Sequence, residues 1–506
     1  MWTVLVLLLY LAGMILIGIR FFKKSDSLSD YFIGGRRLNS WVAAFSVYAS
    51  DMSGWLMMGF VGAVYAHGTG EAWIALGLIL GSILNWLLVA KRLRRYSVTS
   101  KYSITIPEFF ENRFRDASHT LRLISSLFII LFFTVYTAAG FVACGTLFSQ
   151  IFGIDYGIAL LAGVLVILAY TTLGGFRAVC WTDLFQGLIM LAALIAVPLI
   201  SLGFMGGLQK VLSGLPATCL NPFQDETGGP IPAVSVISGL TWGLGYFGMP
   251  HVLIRFMAIK NEKAVSRAAY IAGGAIVISL AFAILMGAAG RAMLPEISDP
   301  SRIFILVIQK IFTDPGALFP SPILGGFFFC GIFAAIMSTA DSQLILSASA
   351  LTSDLYRGLV HKEGKDKYFL RLSRISVGAV SVAAYLIARN QASALLTLVS
   401  SAWSGFGSAF GALILLSLYW KRLTRAGAVA GICAGGLTVI LWDYIPFIPR
   451  GGRWLNMGEA TGLYSLTPGF CLSLFFIVVI SLATKPPSAE ILDEFEIAAV
   501  KPILEE

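Results

Sequence analysis

Long apolar runs separated by short polar breaks dominate this chain. The runs fall at about 2–19, 38–64, 71–90, 120–150, 155–174, 181–204, 232–256, 266–289, 322–350, 371–388, 394–419, 426–442 and 465–484. A bilayer core needs a helix of about 20 apolar residues. The pattern therefore predicts thirteen transmembrane helices in an all-α integral membrane protein. Composition agrees: 57% of the 506 residues are hydrophobic and 12% charged, too few charges to cover a soluble domain of this size. The first run has no basic residue before it and no clear small-residue cleavage site after it. It reads as a retained helix rather than a signal peptide. One transmembrane domain over 1–484 and a short polar tail over 485–506 are expected.

Charge sets the orientation. The stretches "RFFKKSDSLSDYFIGGRR", "KRLRRYSVTSK", "RFMAIKNEK", "YRGLVHKEGKDK" and "WKRLTR" are basic and fall in alternate loops. Sorting Lys and Arg by side puts about 29 on one face and about 7 on the other, and the basic face of a bacterial inner-membrane protein is cytoplasmic. Thirteen spans then leave the amino terminus outside and the carboxyl terminus inside. The net charge of +9 is thus a topology signal, not a nucleic-acid footprint. Five of the six cysteines lie in or directly beside apolar runs and Cys219 in a loop. Their spacing suggests no disulfide framework or zinc site, so they read as packing residues.

Three runs carry chemistry. "SVYASDMSGWLMMGF" places Asp51 near mid-membrane, with Ser50, Ser53 and Gly54 around it. A carboxylate there costs about 2.5–3.5 kcal/mol on insertion scales unless it is paired or hydrated. It is either a structural hydrogen-bond acceptor or part of a broken helix, whose freed carbonyls bind cations and whose freed amides bind anions. "LTWGLGYFGMPHV" holds Gly243, Gly245, Gly248 and Pro250. Proline lacks the amide proton and glycine weakens a helix, so this run is a kink or a second break. The two runs are the second and the seventh, five apart, and enter the membrane in opposite directions. Paired breaks in oppositely oriented groups point to a transporter of inverted repeats with its substrate site where the breaks meet. In "FAAIMSTADSQLILSAS", Ala335, Ser338, Thr339 and Ser342 share one helix face, with Asp341 on its edge. Their hydroxyls either bond back to their own helix or offer oxygen to a hard cation.

These residues resemble the sodium:solute symporter family, and within it the bacterial sodium/proline symporters. "ASDMSGWL", "LFFTVYTAAG", "LGGFRAVCWTDLFQ", "TWGLGYFGMPH", "AAIMSTADSQL" and "KRLTRAGAVAG" look like its blocks and cover nearly the whole chain. The resemblance implies a leucine-transporter-like fold, with one repeat over about 38–204, a second over about 232–419, one helix before (2–19) and two after (426–484). It implies sodium held by the carbonyls of Ala49, Met52 and Ala335 and the hydroxyls of Ser338 and Thr339, with Asp51 in electrostatic support. Ser53, Trp55, Tyr136, Trp242, Tyr246 and Pro250 match positions associated with substrate, and Gly54 and Met249 lie among them. Asp183, in "WTD", matches a position tied to transport; the alternative is an acid at the membrane interface. Asp183, Asp341 and Ser342 together are candidates for a second sodium. Where comparable proline symporters commonly read "GQP", this chain reads "GMP". Met249 cannot donate the hydrogen bonds of a glutamine, which weakens proline as substrate but not sodium coupling.

The physical chemistry suits a small zwitterion. Amides over Met52–Gly54 would meet a carboxylate, and Trp242 and Tyr246 would wall a ring and attract an amine; either aromatic is equally readable as packing. The function expected is sodium-coupled symport of a small amino acid, L-proline first, or of another small carboxylate or amino acid. An enzyme would need a nucleophile with a base or a metal motif. The four histidines, His67, His119, His251 and His361, sit in no acid-rich motif. A sensor on a transporter-like fold would carry a long signalling domain after the last span, and this tail is short.

Overall fold

The computed structural model describes residues 2–22, 28–225, 227–360, 366–390, 395–450 and 453–500. Parts of the predicted loops (23–27 and 361–365), the start of the 394–419 run and the end of the tail (501–506) lie outside the described residues. Helix forms in each of the predicted apolar runs. Ten helices among the described residues are long and apolar enough to cross a membrane. A shorter apolar helix covers Tyr156–Thr172. The two runs with breaking residues are each assembled from shorter helices set end to end.

The predicted spans 155–174 and 181–204 form one course, Tyr156–Phe204, turned at Gly175 (φ 68°, ψ 172°). Glycine adopts that backbone without strain, and a Cβ there would lie 2.8 Å from the Tyr31 ring. The second of these spans therefore begins at the turn rather than at 181.

The first broken helix starts at Ser40, where the Asn39 side chain accepts the Val42 amide at 3.0 Å. It stops at Asp51, leaves helical geometry at Met52 (φ −80°, ψ 69°), and resumes as a widened turn over Trp55–Phe60 and a helix over Val61–His67. The second runs from Ala233–Thr241 into a tight turn over Trp242–Gly248. Met249 is extended, and a new helix spans Pro250–Ala258. Pro250 opens that helix, where its missing N–H costs nothing. The break thus falls at Met249.

The glycines of this run do more than weaken it. A Cβ on Gly245 would meet the Trp403 indole nitrogen at 2.0 Å, and one on Gly248 the Phe406 carbonyl at 2.2 Å. They let helix Leu395–Phe406 press against the break.

Helix Pro322–Ser349 is the core of the bundle, buried continuously from Phe328 to Ser349. Helix Trp2–Phe22 is peripheral and exposes Leu8, Leu9 and Leu16, as a lipid-facing helix does. The tail, expected only as polar chain, forms helix Ala489–Val500. Glu494 pairs with Arg115 at 2.5 Å, and Phe495 lies under the Arg113 guanidinium at 5.3 Å. Burial pushes the Glu494 carboxyl above its usual range, with Arg115 and Arg113 pulling it back. The tail helix therefore lies on the end of the bundle that carries the basic loops.

Candidate functional site

The two breaks meet at Asp51. Its carboxylate is fully buried, and Oδ2 accepts a hydrogen bond from the Tyr246 hydroxyl of the second broken helix at 2.5 Å. Oδ1 takes no hydrogen bond among the described residues. A buried carboxylate oxygen with no donor is costly and suited to a cation. The Asp51 carbonyl is capped by the Trp55 indole N–H at 3.0 Å, which folds the aromatic back over the break.

Two of the amides expected to be open are engaged. Met52 N–H donates to the Tyr48 carbonyl at 2.8 Å and Ser53 N–H to the Asp51 carbonyl at 2.9 Å. The Ser53 hydroxyl in turn accepts the Trp55 amide at 3.3 Å. An anion at this break would have to displace these bonds or use other donors. The correction has a simple cause: a helix broken by two residues closes its free amides with local turns.

Across from the break stands the hydroxyl stripe. Ser338 donates to the Ala49 carbonyl at 2.7 Å and Thr339 to the same oxygen at 3.3 Å. Each also lies 3.3 Å from the Ala335 carbonyl. The bond-back expected within the helix is therefore present, together with a bond across to the first broken helix that the sequence did not predict. Ala49, Ala335, Ser338 and Thr339 converge in one buried spot. Met52, the fifth expected member, forms the end of the same helix.

The aromatic candidates form one wall. Trp242 lies 6.1 Å from Trp55 at 30° and 5.1 Å from Tyr464 at 18°. The Trp403 indole N–H donates to the Trp242 carbonyl at 2.8 Å, and its ring packs edge-on to Tyr246 at 5.1 Å. Tyr136 is buried beside Ser53 and Asp51. Gly54, Met249 and Pro250 are buried at the breaks themselves. Trp403 and Tyr464 were invisible to the sequence argument because Trp403 comes from a helix without charges and Tyr464 from the connection just before helix Leu466–Ala483.

Asp183 lies inside the bundle. It is fully buried, and Oδ2 accepts from the Ser46 hydroxyl at 2.5 Å and from Arg255 Nη2 at 3.0 Å. Arg255 Nη2 also donates to the Ser342 hydroxyl at 2.7 Å, and Nε to Ser46 at 2.6 Å. Ser342 lies 3.3 Å from Asp341 Oδ1. The trio Asp183, Asp341 and Ser342 is thus brought together as expected, but around a guanidinium. Sequence reasoning placed Arg255 at the head of a basic loop; the structure buries it to 1% exposure. The signal that it belonged inside was its place in the seventh apolar run, one helical turn after His251, whose carbonyl accepts Arg255 Nη1 at 2.6 Å.

Residues 31–435 match the sodium:solute symporter family model. This chain belongs to the sodium:solute symporter family. The symporter is 42% identical over 488 residues to the high-affinity proline transporter PutP of Bacillus subtilis, covering 95% of this chain and 98% of that one. It is 39% identical over 519 residues to a sodium/proline symporter of Staphylococcus aureus, covering 100% and 96%. Among solved structures, a Na+-coupled sialic acid symporter in an outward-open state matches with a TM-score of 0.77 at 22% identity, over 96% of this chain and 99% of that one. The transporter MhsT, solved with L-phenylalanine, matches at 0.52 and 14% identity, over 88% and 98%. These likenesses show a shared fold. The symporter is a multi-pass membrane transporter and not an enzyme, with sodium as the coupling ion of its family.

Proposed function

We propose that this symporter carries L-proline into a bacterial cell together with sodium, by alternating access to a site at the two helix breaks. One observation carries the coupling: the Ala49 carbonyl faces the Ser338 and Thr339 hydroxyls beside a buried Asp51 carboxylate whose Oδ1 is unshared. Sodium takes oxygen ligands. In this reading it is held by the carbonyls of Ala49, Met52 and Ala335 and by both hydroxyls, with Asp51 supplying charge. Substrate sits against Ser53, Gly54, Trp55, Tyr136, Trp242, Tyr246, Met249 and Pro250. The names of the Bacillus subtilis and Staphylococcus aureus relatives favour proline.

The repeats run over about 38–204 and 232–419, after the helix at 2–19 and before the pair within 426–484. The basic loops and the tail from 485 face the cytoplasm of the inner membrane, and the amino terminus lies outside. Met249, fully buried at the second break, favours a second reading, another small amino acid or carboxylate that needs no glutamine-like donor there. Proteoliposomes decide between them: labelled proline should enter under an inward sodium gradient and be competed best by proline within a panel of amino acids and carboxylates. No sodium-driven proline uptake, with uptake of another member, selects the second reading.

A further inference from the structure

Helix Arg425–Tyr444 starts at a basic loop and ends, at Asp443 and Tyr444, on the opposite side of the bundle. There a cavity of about 690 Å³ is lined by Trp242, Ser400, Ser401, Asp443, Tyr464 and Ser465, among others. Asp443 has no role in the sodium site or the helix breaks. An acid in the last turn of a helix is opposed by the helix dipole, so it is not there to stabilise its own helix. Its Oδ2 accepts from the Ser401 hydroxyl at 3.1 Å and the Ser465 hydroxyl at 2.9 Å, and Ser465 reaches the Ser404 hydroxyl at 2.9 Å. Its Oδ1 takes no hydrogen bond, and no cation pairs with it, among the described residues.

The carboxylate is held firmly in place. The Asn456 side chain donates to the Asp443 carbonyl at 2.8 Å, and the Trp442 indole N–H donates to the Leu463 carbonyl at 3.0 Å. Beside it, Tyr464 is stacked on Trp242 and fixed by its hydroxyl on the Ser400 carbonyl at 2.7 Å. Trp242 is the inner limit of the cavity and also the outer member of the wall that reaches Trp55. A carboxylate with a free oxygen, hydroxyls and an aromatic face together form the surroundings an organic ammonium prefers. A sodium ion would gain little from the rings and needs more oxygens than Asp443 and its serines leave unused.

We propose that this cavity is a loading site for the ammonium group of the incoming amino acid, one step outside Trp242. This rests on the proposed function and adds where the substrate first binds. Asp443 Oδ1 takes one N–H of the ammonium, and the Trp242–Tyr464 face covers its apolar carbons. A fixed negative charge at the mouth also raises the local concentration of the amine end of the zwitterion.

The test is initial-rate uptake in proteoliposomes at saturating sodium, comparing the parent with Asp443→Asn, which keeps an acceptor for Ser401 and Ser465. The KM for external proline should rise about three- to tenfold with maximal rate retained, the range a charge-assisted bond at a partly hydrated site supplies. The parent KM should rise with added choline chloride while the variant's stays flat. Asp443→Glu should recover most of the parent KM, which separates charge from folding. Tyr464→Leu should raise KM and Tyr464→Phe should not. An Asn variant with the parent KM and the parent salt response overturns the proposal and leaves Asp443 as an acceptor for two serines. A shift in sodium half-saturation with no change in KM overturns it in favour of an ion station. Failure of the proposed function looks different: the parent itself then takes up no proline. The same comparison is then made with the cargo that the panel identifies, and a cargo without an amine overturns the loading site as well.

Discussion

The Ser338 hydroxyl donates to the Ala49 carbonyl at 2.7 Å, across the contact between the central helix and the first broken helix. In the proposed sodium site this bond joins two of the oxygens that the ion would share. Sodium entry would then turn the Ser338 proton away and exchange one contact for another. A typical buried hydrogen bond contributes about 0.5–1.5 kcal/mol net, small enough for an ion to replace and large enough to hold the segment closed without one.

Loss of either hydroxyl should thus cost ion affinity more than folding. We expect Thr339→Ala to raise the sodium concentration for half-maximal uptake about tenfold, equivalent to about 1.4 kcal/mol, and Thr339→Ser to stay near the parent. Sodium titration of proline uptake measures this. Unchanged sodium dependence in a well-folded Thr339→Ala variant, or uptake driven by a proton gradient alone, would remove Thr339 from the ion site.

In the proposed site Asp51 would link ion and substrate through Tyr246, whose hydroxyl it accepts at 2.5 Å. Sodium drawn to Oδ1 would fix the carboxylate that positions the substrate wall. Such coupling is reciprocal and typically about 1–3 kcal/mol. Asp51→Asn should weaken sodium binding strongly and weaken substrate binding mainly by loss of that coupling, while Asp51→Glu retains more activity. Tyr246→Phe should weaken substrate binding and leave intrinsic sodium binding closer to the parent. Calorimetry across a sodium series separates these cases. An Asp51→Asn variant that binds substrate with the parent's sodium dependence would make the carboxylate a structural acceptor.

Local chemistry was readable from the sequence wherever one residue type forces one outcome. Pro250 had to interrupt its run, which it does by opening a new helix after Met249, and Asp51 had to find a partner in the membrane. The hydroxyl spacing put Ser338 and Thr339 on one face, which the Ala49 contact uses. Long-range chemistry was not readable. Nothing in "RFMAIKNEK" says that its first residue turns inward to Asp183, 72 positions away. Nor does a glycine announce which backbone will touch it, as Phe406 does at Gly248. The tail helix was legible in the spacing of Ile491, Phe495 and Ala498, which puts them on one buried face, but the acidic residues between them gave the stretch the look of polar chain.

The Asp183–Arg255 pair ties the first broken helix, through Ser46, to the second, and to the central helix through Ser342. Removing one partner of a buried pair typically costs about 3–5 kcal/mol, because the other charge is left alone. Asp183→Asn and Arg255→Gln should each lower the melting temperature in detergent, and the double variant should be less destabilised than the sum of the two. A strictly additive double variant would show that the two side chains are not coupled.

Charge counting around Arg255 gives the last prediction. Two carboxylates, Asp183 and Asp341, lie near one guanidinium, and Ser342 contacts both Arg255 and Asp341. With both acids ionised, one formal negative charge is left over, and Asp341 does not share the direct ion pair that Asp183 makes. A buried uncompensated charge is costly, so Asp341 either holds a proton or attracts a second cation during the cycle. We propose the second cation, with Arg255 holding Asp183 in place so that Asp341 and Ser342 supply oxygen. The parent should then move about two charges per neutral substrate and show a sodium Hill coefficient above one. Asp341→Asn should lower the charge-to-substrate ratio to about one while sparing Thr339-dependent sodium activation. Current and labelled uptake recorded together on the same proteoliposomes give the ratio. A parent ratio near one, with a Hill coefficient near one, would leave a single coupled sodium at Ala49, Ser338 and Thr339 and make Asp341 a protonated structural acid.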